Sequence, residues 1–198
     1  MTKNRSRKEI LFQEAAKLFR EKGYQAANLR ELAKRVGIQG GSLYYHFSSK
    51  QELLFQLMNT IMDQMISGLS SELAASNDPL TQLRSFFRFH IRFTVCGSDL
   101  VYISDDELRH LDAGNYQQII AKRDNYQQLV EQLLQRGQQL GWQVEDYKLL
   151  SRIAIQMGTG VLGWYRQEGS LSIEEIAERY WQFFCRGLLP VSQGLMTE

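Results

Sequence analysis

The chain has 198 residues, 43% of them hydrophobic and 23% charged, a balance that excludes a disordered polymer and suits one full domain with a small accessory one. No segment approaches the roughly 18 to 20 apolar residues of a membrane span, and no apolar run follows the basic start MTKNRSRKEILF, so the expected location is cytoplasmic. The net charge of +1 conceals a division: residues 1–50 hold 11 lysines and arginines against 4 acids, residues 51–198 hold 12 against 18, and the basic head is the end suited to a polyanion.

Only two prolines, Pro79 and Pro190, interrupt the chain, which predicts an all-α fold of about nine helices. The first helix carries Leu11, Ala15, Leu18 and Phe12, Ala16, Phe19 at helical spacing and stops at Gly23, expected as a left-handed cap. Asn28, with Glu31 three residues on, reads as a capping box for a short second helix that shows Leu29, Leu32, Ala33 and Val36 on one face. A third short helix fits between Gln39 and Phe47, with Leu43 and Phe47 one turn apart, because Ser49 and Glu52 form a fresh capping box for a fourth. That fourth helix runs from Lys50 to about Leu73. AASNDP is the clearest linker, and Pro79 opens a fifth helix that ends near Gly97. Further helices are predicted at about 99–111, 115–140, 146–165 and 172–189.

Three short helices with a glycine-containing turn between the second and third make a helix-turn-helix unit over about residues 28–47. Such a unit lays one helix in the major groove, with base edges read by the start of that helix and phosphates gripped at its flanks. Gln39, Gly40, Gly41, Ser42 and Tyr45 lie at the start and face of the third helix; Tyr44, His46 and Lys50 carry donors suited to phosphates, as does the Asn28–Arg30 helix start. Arg5 and Arg7, with Lys3 and Lys8, form a basic arm. Leu43 and Phe47 are assigned to the core, but three more polar-tipped aromatics on so short a helix need a partner surface.

The stretch ILFQEAAKLFREKGYQAANLRELAKRVGIQGGSLYYHFSSKQELL, residues 10–54, closely resembles the N-terminal domain of the TetR family of repressors. The resemblance implies a DNA-binding domain over residues 5–65 and a helical ligand-binding and dimerisation domain over 66–198, paired through its last two helices. One departure stands out: where the family commonly has Ser or Thr and a second polar residue before the glycine, this chain has Gln39-Gly40. Gln caps helices weakly but reads adenine in bidentate fashion, so the base preferences of relatives do not transfer.

In the body, the 146–165 helix is apolar nearly all round, with Gly158, Gly160 and Gly163 suited to close helix approach; no strand precedes them and no lysine follows, as a nucleotide loop needs. Ile153, Met157, Gly160 and Val161 on that helix, and Tyr180, Trp181 and Phe184 on the last, are the expected dimer contacts. The run from Phe89 to His110, RDNYQQLV, GVLGWYR and IEEIAERYWQFFCRGL are similar to the subgroup associated with acyl-CoA thioesters. On that likeness Arg84, Arg88, Arg92, Arg109 and Arg123 are candidate phosphate partners, and Phe93, Tyr102, Tyr126 and Trp164 a candidate apolar slot. Two alternatives stay open: a solvated arginine face paired with acids, and an uncharged lipophilic effector.

Asp105, Asp106, Glu107 and His110 could hold a metal, though adjacent acids on a helix usually face solvent; no metal and no cofactor is expected. An enzyme is disfavoured, because His46, His90 and His110 are scattered and Cys96 has no evident base; Cys185 reads as a second structural thiol. The expected molecule is therefore a homodimeric, ligand-responsive regulator of transcription that binds a palindromic operator and is released by its effector. A ligand-independent DNA-binding protein is the remoter alternative.

Overall fold

The computed structural model describes residues 7–189, and among them the periodicities become nine α-helices, as expected of an all-α chain. These are α1 (Arg7–Ala26), α2 (Leu29–Arg35), α3 (Gly40–His46), α4 (Lys50–Ala74), α5 (Pro79–Cys96), α6 (Ser98–Asp106), α7 (Ala113–Gln139), α8 (Tyr147–Thr159) and α9 (Ile173–Leu188). Short 3-10 turns at Leu108–His110 and Gly160–Gly163 follow α6 and α8. No helix among the described residues is long and apolar enough to cross a membrane.

Two compact units result. Among the described residues, the first takes 7–62 together with 97–121, and the second takes 63–96 and 122–189. The division falls inside α4, and it places α6 with the helix-turn-helix rather than with α5.

In the first unit, α1 packs against α2 and α6, and α2 against α3. Leu18, Phe19, Leu32, Leu43, Leu53 and Leu57 are each at most 1% exposed, and burial of a side chain of this size contributes about 1.5–3 kcal/mol. Gly23 does not act as the expected αL cap: its φ of 75° and ψ of 153° kink α1, and one more turn follows to Ala26. That backbone region belongs to glycine, which has no Cβ to clash there. The capping box expected at Asn28 is only half present. Asn28 accepts the Arg30 N–H at 2.8 Å, but Glu31 turns instead to Lys22 at 2.7 Å and Arg35 at 3.2 Å. The box before α4 also shifts by a residue, since Glu52 reaches back to the N–H and hydroxyl of Ser48 while its own N–H goes to Ser49.

In the second unit α5 is the central element, packed on α8, its 3-10 extension and α9. Phe86, Phe87 and Ile91 are fully buried, and Phe87 meets Phe184 with ring centroids 5.4 Å apart. The α9 start is a complete capping box between Ser172 and Glu175.

Candidate functional site

Helix α3 is built so that its apolar residues point in and its start points out. Leu43 is fully buried and Phe47, which ends the helix, is 3% exposed and meets Phe12 at 6.0 Å between centroids. Gln39, Gly41 and Ser42 are exposed. Gln39 occupies the N-cap in extended conformation but makes no capping hydrogen bond, which leaves its amide to the outside. A methyl group added at Gly40 or Gly41 would meet nothing within 4 Å, so internal packing does not demand glycine at either position. Asn28 and Arg30, at the start of α2, are exposed too. Arg7 opens α1 and is exposed; Arg5 lies outside the described residues, as do the side chains of Tyr44, Tyr45 and His46.

Several cations of the head are already committed. Arg35 forks onto Glu21 at 2.6 and 3.1 Å and reaches Glu31. The Arg35 guanidinium holds Glu21 below the usual carboxylate range, and Lys22 above all does the same for Glu31. Arg20 pairs with Asp99 at 2.6 Å, over the ring of Tyr102. Lys50 is engaged as well. Its ammonium donates to the carbonyls of Tyr24, Gln25 and Ala27 at 2.8, 3.0 and 3.1 Å and sits over the Tyr24 ring. An ammonium has three donors, and all three are used here on the end of α1, so Lys50 caps that end in the free chain. Arg30 and Lys34 are exposed and, among the described residues, in no ion pair.

The candidate effector residues are distributed over both units: Tyr102 and Arg109 belong to the first, the other seven to the second. The stripe on α5 is largely paired with acids. Arg84 meets Glu178 at 2.8 Å and lies over Trp181, and Arg92 meets Glu72 at 3.6 Å. A surface groove of about 580 Å³ between α5 and α9 is lined by Arg84, Arg88, Arg179, Glu174, Glu175, Glu178 and Gln182, so its formal charges cancel. Arg109 is exposed, and Arg123 and Phe93 half-buried, with Phe93 against Phe89. Trp164 is 48% exposed. Tyr126 lies in the core, 3% exposed and hydrogen-bonded to His90 at 2.8 Å.

His90 is the centre of that buried polar group. Its Nε2 lies 3.1 Å from the Ile155 carbonyl, which can only accept, so Nε2 carries the proton and Nδ1 accepts from the Tyr126 hydroxyl. Burial lowers the His90 pKa from 6.5 to about 4, keeping the ring neutral, and raises that of Tyr126 well above the phenol range. Gly158 makes room for the ring, since a Cβ there would collide with His90 Cδ2.

Of the expected dimer contacts, Val161, Trp181 and Phe184 are buried within the chain itself. They are 0, 8 and 7% exposed because they face the core of their own unit. Ile153 and Gly160 are exposed, and Met157 and Tyr180 half-buried. Sequence reasoning left out Leu149 (54% exposed) and Phe183 (69%). Both could have been found: Leu149 precedes Ile153 by one turn, and Phe183 beside the core residue Phe184 must point another way. Among the described residues no group of three His, Cys, Asp or Glu side chains is arranged to hold a metal ion. Glu107 and His110 bond to each other instead, at 2.6 Å.

Comparison with known proteins gives two family matches. Residues 11–57 match the model for bacterial regulatory proteins of the tetR family, and residues 76–188 match the tetracyclin repressor-like C-terminal domain. The HTH-type transcriptional repressor KstR2 of Mycolicibacterium smegmatis is 27% identical over 192 residues, 96% of this chain and 93% of the relative. Among solved structures, the TetR family regulator PfmR from Thermus thermophilus superposes with a TM-score of 0.82 at 30% identity, covering 91% of this chain and 99% of PfmR. AibR, solved in complex with isovaleryl coenzyme A and operator DNA, shares the fold with a TM-score of 0.83 at 24% identity, over 93% of this chain and all of AibR.

Proposed function

The chain belongs to the TetR family of bacterial regulatory proteins, and we propose that it acts as a homodimeric repressor whose residue 28–47 unit reads a two-fold symmetric operator. It is a DNA-binding protein, not an enzyme. The observation that carries the reading is the outward start of α3. Gln39, Gly41 and Ser42 are exposed there, and two glycines that the fold itself does not require leave the backbone open to close approach. Gln39 and Tyr45 are the proposed base readers; Asn28, Arg30, Tyr44 and His46, with Arg5 and Arg7, are the proposed phosphate contacts. Residues 5–65 form the DNA-binding part and 66–198 the effector-binding and dimerisation part. Leu149, Ile153, Met157, Gly160 and Trp164 with Tyr180 and Phe183 supply the apolar surface that a second copy would cover.

The effector is proposed to be an acyl-CoA thioester. AibR, captured with isovaleryl coenzyme A and operator DNA, supports this, as does the basic stripe of α5. A second reading, an uncharged lipophilic effector, is favoured by a specific observation: Arg84 and Arg92 already face glutamates. Release requires only that the effector bind the non-DNA-binding arrangement more tightly; a tenfold preference, about 1.4 kcal/mol, shifts occupancy measurably. Selection of duplexes from a random pool, followed by gel-shift titration with a chain-length series of acyl-CoAs, free CoA and free fatty acids, tests both levels. Failure to enrich any duplex would overturn the regulator reading. Release by a neutral compound and by no thioester would leave the regulator and exchange the effector.

A further inference from the structure

Immediately before α2, the turn at residues 24–27 is held from two directions within the first unit. From α4 comes Lys50, whose three donors cap the carbonyls of Tyr24, Gln25 and Ala27. From the turn after α6 comes Glu107, only 6% exposed, whose Oε1 accepts the Tyr24 N–H at 3.2 Å. The kink at Gly23 explains why that N–H needs a partner. A ψ of 153° rotates the next peptide plane out of the α1 ladder, and a buried N–H without an acceptor is costly. The other Glu107 oxygen accepts from His110 Nδ1 at 2.6 Å, and the His110 ring stacks on Tyr24 at 5.1 Å. Gln51 of α4 fixes the turn after α6 that carries Glu107 and His110, donating to the His110 carbonyl and accepting the Asp112 N–H at 3.2 Å.

We propose that Glu107, held by His110, is a positioning residue that fixes the turn ahead of the Asn28 cap and so sets how α2 and α3 are presented. Residues 97–121, remote in sequence from the reading helix, thereby become part of the device that aims it. A solvated surface acid would serve none of this: Glu107 is buried, with one oxygen on the Tyr24 N–H and the other on His110, whose ring stacks on Tyr24. The inference rests on the proposal that residues 28–47 read DNA, and its test separates the two.

Hydrogen–deuterium exchange of the full chain, with binding to the duplex enriched by the wild type, supplies the test. Glu107→Ala should speed exchange at residues 24–28 and weaken DNA binding, each by about tenfold, the scale of one lost hydrogen bond to a charged group. Exchange in α8 and α9 should stay at the wild-type rate. Glu107→Gln keeps an oxygen to accept the Tyr24 N–H and should restore both readouts, whereas Glu107→Leu, of similar size but with no acceptor, should behave like Glu107→Ala; a merely space-filling role would let both rescue. If Glu107→Ala fails to fold, His110→Phe decides instead: it keeps the stacked ring, removes the partner of Glu107, and should raise exchange at residues 24–28. Unchanged exchange there, or unchanged affinity with exchange raised, would overturn the proposal. A wild-type chain that enriches no duplex would overturn the DNA reading and leave the exchange arm to judge the clasp.

Discussion

In the head, lysines and arginines divide into those engaged by the protein's own carbonyls and carboxylates and those left facing outward; on α5 of the second unit, Arg84 and Arg92 lie opposite glutamates. Arg35, Lys22, Arg20 and Lys50 all close contacts within the first unit, while Arg30 and Lys34 close no ion pair among the described residues. Formal charge therefore overstates how much of the head is offered to DNA. It also overstates how much of α5 is offered to an anion. A cation already paired in the free protein must lose that partner before it contributes to a complex, so only the unengaged ones should register in a salt dependence.

The largest expected effect breaks the comparison on the head side. Leu43→Ala leaves a hole under α3 at a fully buried site, and should cost about 2–5 kcal/mol of stability in urea denaturation followed by circular dichroism. Lys50→Ala comes next. Loss of charge-assisted bonds to three carbonyls should cost roughly 1.5–3 kcal/mol, while the slope of log affinity against log salt stays at its wild-type value. A slope reduced by a full unit would return Lys50 to the phosphates.

The buried histidine sharpens the body side. His90 is depressed in the folded state from 6.5 to about 4, so the unfolded chain binds more protons across that window and stability falls as pH drops through it. Between pH 7 and pH 5 the loss should be roughly 2 kcal/mol in urea titrations, and His90→Gln should flatten the dependence. The smallest effect separates the two sets of arginines. Arg30→Ala should lower the salt slope for DNA by about 0.9, whereas Arg84→Ala should leave it unchanged and alter stability by less than about 1 kcal/mol.

Much of the fold was legible because helical periodicity and its punctuation are local. Pro79, Ser172 and Gly141 sit at or beside the helix ends they were expected to mark. The inward and outward faces of α3 were legible for the same reason, Leu43 and Phe47 being one turn apart. What could not be read were the long-range choices of flexible charged side chains. Lys50 looked free because its acceptors, the carbonyls of Tyr24, Gln25 and Ala27 at the end of α1, lie 26, 25 and 23 residues away in sequence. Glu31 had three cationic or amide claimants within reach and took Lys22 and Arg35 over the cap. Glu107 sits in the acidic run with Asp105 and Asp106 and is told apart only by the tertiary packing that buries it. The same limit applies to Trp181 and Phe184: on a helix apolar over a broad arc, periodicity finds the arc but not the line along it where one chain's core ends.

Exposure at Trp164 has an optical consequence. The chain carries three indoles; Trp142 and Trp181 are each 8% exposed, while Trp164 is 48% exposed. Emission from the free chain should thus contain one red-shifted, iodide-quenchable component over a blue-shifted, quencher-resistant background. Docking a second copy over the Leu149–Ile153–Trp164 surface would dry that one indole, so dilution fluorescence of the unlabelled protein, with Trp164→Phe as its blank, reads subunit assembly as a change of colour.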